Sequence, residues 1–450
     1  MYQRNPARGR QARQLSGELR VEREGLFGAV LGAIDVVESR AVDDRPRRQG
    51  LDARPQRVEI QDIQILDVPP GGHRIQSAQL ATKHAAGAQD QHIFHGLCSI
   101  IGMTRRERVE TVYALGRPDR IPFVPAIYEH KARLIRRSPS DVCRNADLLY
   151  ESLLAELRVY DPDMLVVGID VYNVEAEALG CQVAYFEDSN DVPAVTKPLL
   201  ESAADLDRLG PPDPESDGRM PLCLRVAAAL QRELGAGMIV RGALTGPFSM
   251  ACELFGAERF LMATIEDPVF ARRLLQFTTR VTVSFGAAFA RRGAEPILFD
   301  SRATPRLISP RVFRQLVTPV YRDLVIPPLK AAGARWIPLI IGGDTTAVID
   351  DLIATGATQL LCDAGADLDR FLEKTRAARV PLRASIDARL VHAGPPEAIR
   401  AASRAVLDKG KDHPGFLFGC GVVAYNCDPA HVAALRDSLE GYTPSFLAMA

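Results

Sequence analysis

The chain has 450 residues, 25% charged and 47% hydrophobic, which is enough apolar material for a large core. Lys and Arg number 55 against 56 Asp and Glu, a formal charge of −1, which excludes the basic excess of a nucleic-acid or anionic-membrane surface. No uninterrupted apolar run reaches the roughly 18 residues of a membrane span, and the Arg-rich start lacks the apolar stretch of a secretory signal. Eight cysteines without a C-x-x-C pair read as reduced thiols, so a cytoplasmic protein is expected.

Residues 1–102 differ from the rest. Their cations are thirteen arginines and one lysine, Lys83, and eleven glutamines lie among them. Stretches such as Arg45-Pro46-Arg47-Arg48-Gln49-Gly50 and Pro69-Pro70-Gly71-Gly72 break helices, and the apolar run from Leu26 to Val37 has no partner segment. A segment that buries so little apolar surface is expected to be a low-order extension. Met103, which opens an amphipathic helix with Thr104-Arg105-Arg106-Glu107-Arg108, is an alternative natural start. The domain proper is expected over 103–445.

From Met103 onward short apolar runs alternate with longer helical patterns. The runs are Ile121–Tyr128, Met164–Asp170, Met238–Leu244, Pro296–Asp300, Trp336–Ile341, Gln359–Asp363, Val380–Ile386 and Phe416–Val423. They lack strict polar alternation, as strands buried on both faces do. Helical patterns cover Asn145–Arg158, Leu222–Leu234, Pro268–Arg292, Pro310–Ala332, Thr345–Ala354, Leu368–Ala378, Pro396–Lys409 and Pro429–Leu439. Eight strands alternating with helices predict an α/β fold, a (β/α)8 TIM barrel, with a doubly wound open sheet as the alternative. Val171–Met220 is too long for an ordinary loop and predicts an insertion after the second strand, with Cys181–Phe186 as a strand of its own.

Barrel chemistry gathers where strands end. Those ends offer Asp170, Tyr172, Asn173 and Glu175; Arg241; Asp300 and Ser301; Asp344; Asp363; Ser385 and Asp387; and Cys420 between Gly419 and Gly421. Arg241 and Asp300 stand on apolar strands, where a charge must meet a partner or a ligand. Asp344 before Thr345-Thr346 suits a helix cap equally well, Asp363 before Ala364-Gly365 suits a turn, and Cys420 suits a small buried hydrophobe. The expected catalytic set is Asp170, Asp300 and Arg241. Tyr172, Asn173, Asp344, Asp387 and Cys420 are expected to bind a small-molecule substrate, and Cys420 is also the one candidate metal ligand.

Thr104-Arg105-Arg106-Glu107-Arg108 with Gly116-Arg117-Pro118-Asp119-Arg120-Ile121-Pro122 resembles the opening of the uroporphyrinogen decarboxylase superfamily. So do Gly168-Ile169-Asp170 with Glu175-Ala176-Glu177-Ala178-Leu179-Gly180, Gly242 through Pro247, Asp300-Ser301 with Leu307-Ile308-Ser309-Pro310, and Gly394-Pro395-Pro396-Glu397. The resemblance covers nearly all of Met103–Tyr442 and implies the barrel fold.

True uroporphyrinogen decarboxylases bind a many-carboxylate tetrapyrrole with the arginines of an "R-Q-A-G-R" motif. The matching place here reads Ile127-Tyr128-Glu129-His130-Lys131-Ala132, without arginines and with a new glutamate, which argues against a polyanion. The other branch resembles methylcobamide:coenzyme M methyltransferases, in which "H-x-C-G" and a distant Cys hold zinc to activate a thiol. Cys420 matches the distant Cys, but Ile340 and Gly342 stand at the other two ligand positions. The resemblance therefore implies a corrinoid-linked methyltransferase without the thiol-activating zinc, working with a corrinoid partner protein and forming a homodimer. A cofactor-free decarboxylase of a smaller carboxylated substrate and a non-catalytic homologue that binds a corrinoid protein are the alternatives.

Overall fold

The structure is a computed structural model that describes residues 102–186 and 190–439. The low-order extension expected over 1–102 falls, apart from Gly102, outside the described residues. Thr104 caps the first helix, Arg105–Tyr113, through a reciprocal pair of bonds with Glu107.

Seven strands follow the expected runs closely: β1 Met164–Val167, β4 Ile239–Thr245, β5 Glu295–Phe299, β6 Pro338–Ile340, β7 Gln359–Cys362, β8 Leu382–Ile386 and β9 Phe416–Cys420. All neighbours are parallel, in the order β1-β4-β5-β6-β7-β8-β9. The insertion contains the hairpin β2 (Gln182–Ala184) and β3 (Ala194–Lys197), which are antiparallel.

The expected first strand, Ile121–Tyr128, is extended chain that makes only two bridges, Phe123 to Phe418 and Ala126 to Val422. Pro122 and Pro125 remove two of the amide donors a regular strand would need. The segment still closes the wall. Val124 donates to the Phe418 carbonyl at 2.7 Å, and Val423 donates to that of Ala126 at 3.0 Å. On the other side Asp163 N donates to Phe123 O at 2.9 Å, and Phe123 N donates to the Asp163 carboxylate at 2.6 Å. Eight wall segments thus form a closed barrel, not an open sheet.

The helical pattern Pro310–Ala332 is realised as one continuous stretch containing two π-helical segments, Phe313–Val317 and Val320–Val325. Pro319, Pro327 and Pro328 remove amide donors from the i→i−4 ladder there. β4 is followed by two helices, Pro247–Phe255 and Ala257–Glu266. Gly256, at φ +88°, separates them.

The barrel interior is stacked in levels. Val112, Tyr113, Val124, Met164, Ile239 and Leu417 pack together at the lower level. Tyr113 stacks on Trp336 with ring centroids 4.7 Å apart, so the first helix plugs the end where the strands begin. Above lie Ala126, Tyr128, Ile297, Phe299, Ile340 and Leu361. Val166 and Ala243, in the middle of central strands, are only partly buried, so the lumen is not filled at that level.

Candidate functional site at the C-terminal mouth of the barrel

The expected site residues divide by location. Arg241, fully buried on β4, pairs in register with Glu295 at the very start of β5 and therefore sits toward the floor. Its donors go to Met164 Sδ, to the Trp336 carbonyl at 3.1 Å and to the Tyr113 hydroxyl at 2.5 Å. The buried charge of Arg241 is met by the floor plug, at the end opposite the mouth.

Asp170 receives both terminal nitrogens of Arg219, at 3.0 and 2.7 Å, and the thiol of Cys143 at 3.2 Å. Arg219 also bonds Glu177, so Asp170 belongs to an ion-pair cluster that ties the insertion to the wall. Asp300, fully buried, accepts from Ser249 N at 2.6 Å, Phe248 N at 3.3 Å and Tyr321 Oη at 2.7 Å. It anchors the N-terminus of the helix Pro247–Phe255, where amide donors have no intrahelical partners. Burial nevertheless pushes its pKa up, against the hydrogen bonds that lower it.

Asp344 is exposed and accepts from Thr346 N at 3.0 Å, and Asp387 caps the helix Ala388–Ala393 while pairing with Arg389. Asn173 donates to the Pro193 carbonyl, next to β3. Tyr172 reaches the mouth and donates to Ser301 Oγ at 2.8 Å. Cys420 is fully buried in the main core cluster rather than with the lumen residues, and burial pushes its thiol up to about 11.

The wall of the upper lumen is apolar. Tyr128 meets Phe299 edge to face at 5.4 Å, and Ile297, Ile340 and Leu361 complete it. Ile340 has no donor atom. A Cβ on Gly342 would stand 3.5 Å from Asp363 Oδ2 and 3.6 Å from Ser301 Oγ, so that position carries none either. Two of the three zinc-ligand positions are therefore chemically empty, and no group of three metal-binding side chains forms among the described residues. Zinc does not fit this set. Asp363 ties the loop after β7 to the one after β6, accepting from Ala364 N at 2.9 Å and Gly343 N at 2.8 Å.

Two further groups, neither at a strand end, carry signals of function. Glu129 follows Tyr128 at the lip, is 6% exposed, and its Oε2 is buried with no hydrogen-bond partner. Burial pushes its pKa up to about 8, only partly offset by the charge of Lys131, so its carboxyl holds a proton at neutral pH. Arg383 lies on β8 with 4% exposure; its charge favours the ionised forms of Tyr128 and Cys420. The alternation Leu382-Arg383-Ala384-Ser385-Ile386 puts Arg383 and Ser385 on one strand face. A charge within a strand buried on both faces was the available clue.

Comparison with known proteins agrees with this architecture. The family model for uroporphyrinogen decarboxylase (URO-D) matches residues 104–442. The chain is 28% identical over 268 residues to the methylcobamide:CoM methyltransferase MtbA of Methanosarcina mazei, covering 58% of this chain and 76% of that one. It is 24% identical over 318 residues to the uroporphyrinogen decarboxylase of Aromatoleum aromaticum, covering 67% of this chain and 85% of the other. A solved methyltransferase from Methanosarcina mazei shares the fold with a TM-score of 0.68 at 20% identity, over 75% of this chain and 99% of that chain. With a barrel closed by its own first segment and a family match spanning that whole barrel, the chain belongs to the uroporphyrinogen decarboxylase (URO-D) family.

Proposed function

We propose that this chain is an enzyme that moves a methyl group from an O- or N-methyl donor to a corrinoid carried by a partner protein. The observation that carries the reading is Glu129, whose carboxyl oxygen is buried without a partner, next in the chain to Tyr128 of the lumen wall, and whose pKa burial pushes up to about 8. The methyltransferases among its relatives support the class of reaction. Ile340 and Gly342 argue that the transfer does not use a zinc-activated thiol.

The corrinoid supplies a nucleophilic acceptor for the methyl group. This chain binds the donor in the lumen, between the Tyr128–Phe299 corner and Ile340. As the methyl–heteroatom bond breaks, the departing oxygen or nitrogen takes the bonding electron pair and needs a proton, which Glu129 Oε2 delivers. Tyr172, hydrogen-bonded to Ser301, fixes the donor at the mouth. Asp170 and Asp300, whose oxygens are committed to Arg219 and to a helix N-terminus, hold the frame.

The test is spectrophotometric. Full-length protein is mixed with cob(I)alamin and a panel of methoxylated and N-methylated compounds, and methylcobalamin formation is followed. Turnover is expected with at least one donor, and Glu129→Gln should lower kcat by about 100-fold or more. Cofactor-free release of CO2 from a carboxylated compound would establish a decarboxylase instead. Capture of a corrinoid protein without turnover of any donor would establish a non-catalytic binding role.

A further inference from the structure

We propose that Arg383, assisted by Ser385, is the anchor for one carboxylate on a substrate whose remaining body is apolar. The inference rests on reading the lumen as the substrate site, and it names the substrate class.

Arg383 is a buried cation without a counter-charge. One terminal nitrogen donates to the Cys420 carbonyl at 2.6 Å, while its Nε is buried with no partner. Among the described residues no carboxylate forms an ion pair with it. Two residues along the same strand face, the Ser385 hydroxyl is also buried and unpartnered. Native interiors seldom leave donors unmet, and a buried charge less often still, so an unmet pair on one face implies a ligand that completes it.

Arg241 provides the contrast within the same barrel. It is equally buried, but its three nitrogens are all engaged, and its guanidinium lies 5.5 Å from the Tyr113 ring. Arg241 is satisfied by the fold and Arg383 is not.

The surroundings define the ligand. The guanidinium lies against Gly419, where an added Cβ would stand 3.2 Å from Nε and 2.0 Å from the Val124 carbonyl. Glycine is required there because the Val124 backbone already fills the space a side chain would take beside the guanidinium. The unpartnered Nε–H is a charged donor suited to a carboxylate oxygen. A single guanidinium and one hydroxyl suit a monoanion. The apolar wall of Ile297, Phe299, Ile340 and Leu361 suits a compact hydrocarbon or aromatic body rather than a polar one.

The experiment is calorimetric titration of the full-length protein with benzoate, phenylacetate and cyclohexanecarboxylate, each paired with its neutral carboxamide, without corrinoid. At least one acid should bind about tenfold or more tightly than its amide. Arg383→Met should remove that preference while leaving Tm close to the wild-type value, because the lost cation was unpaired and gives up only its one bond to the Cys420 carbonyl. Ser385→Ala should weaken the acid several-fold. The proposal is overturned if no acid binds, if acids and amides bind alike, or if Arg383→Met keeps the preference. Should Arg383→Met not fold, the acid-to-amide ratio of the wild type and of Ser385→Ala decides. Binding is read without turnover, so failure of methyl transfer leaves this test intact.

Discussion

Replacing Glu129 by Gln should alter how stability depends on pH, and the size of the change follows from the site. The carboxyl is held at about 8 by burial, against an ordinary 4.5. The folded protein therefore keeps a proton that the unfolded chain gives up between those values. Over that window the unfolded state binds fewer protons, so stability falls as pH rises, by about 1.4 kcal/mol per pH unit for this group. From pH 5 to pH 8 the wild type should lose about 4 kcal/mol that Glu129→Gln retains. Glu156 and Glu175, both pushed up to about 7 by burial, titrate in wild type and variant alike and cancel in the comparison. A neutral amide at an unpartnered position adds an offset independent of pH. The assay is urea unfolding of both proteins at pH 5, 6.5 and 8, compared through the change in ΔG with pH. Curves that stay parallel to within about 1 kcal/mol would refute the protonated carboxyl and the acid role built on it.

Three further outcomes follow from the geometry. Arg219→Met strands Asp170 beside Glu177 in a buried place and should cost about 3–5 kcal/mol, seen as a lower urea midpoint; a loss under about 1 kcal/mol would contradict the assignment. Gly246→Ala places a Cβ 2.4 Å from Asp300 and 2.5 Å from Tyr321 Oη, so overpacking should cost about 1–3 kcal/mol, and an unchanged Tm would show that the contact is not as described. Cys420, buried with its thiol raised to about 11, should resist iodoacetamide at pH 8 until the protein unfolds; mass spectrometry showing labelling at the rate of a free thiol would place it in an open site.

The fold was legible because buried parallel strands leave continuous apolar runs, and seven of these became strands with ends displaced by only a few residues. The exception, Ile121–Tyr128, looked like the others by composition, yet its prolines limit the backbone bonds it can make. The site was less legible, because a residue's place near a strand end does not fix which group meets it across the barrel. Asp170 could not be matched to Arg219 from the sequence, since they stand 49 positions apart across the insertion. Nor does Arg241 announce that Tyr113, 128 residues earlier in the chain, returns to engage it. Arg383, like Arg241, is a charge within an apolar strand, but it lies at the second position of β8 and not at the strand end. Glu129 showed as a departure from the family motif, and only its burial without a partner identified the acid.

The bridges from Phe123 and Ala126 to Phe418 and Val422 join parts of the chain about 300 residues apart, and this sets an order on biosynthesis. Neighbouring strands from β4 to β9 can pair as each leaves the ribosome, because each partner directly precedes the next in the sheet. The segment around Phe123 can meet the start of β1 through Asp163, but its other edge has no partner until β9 has been synthesised. Until then the nascent sheet has two unpaired edges and an apolar interior open to solvent, a state that favours aggregation. Translation that stops short of Phe416 would leave this half-closed sheet rather than a smaller working barrel.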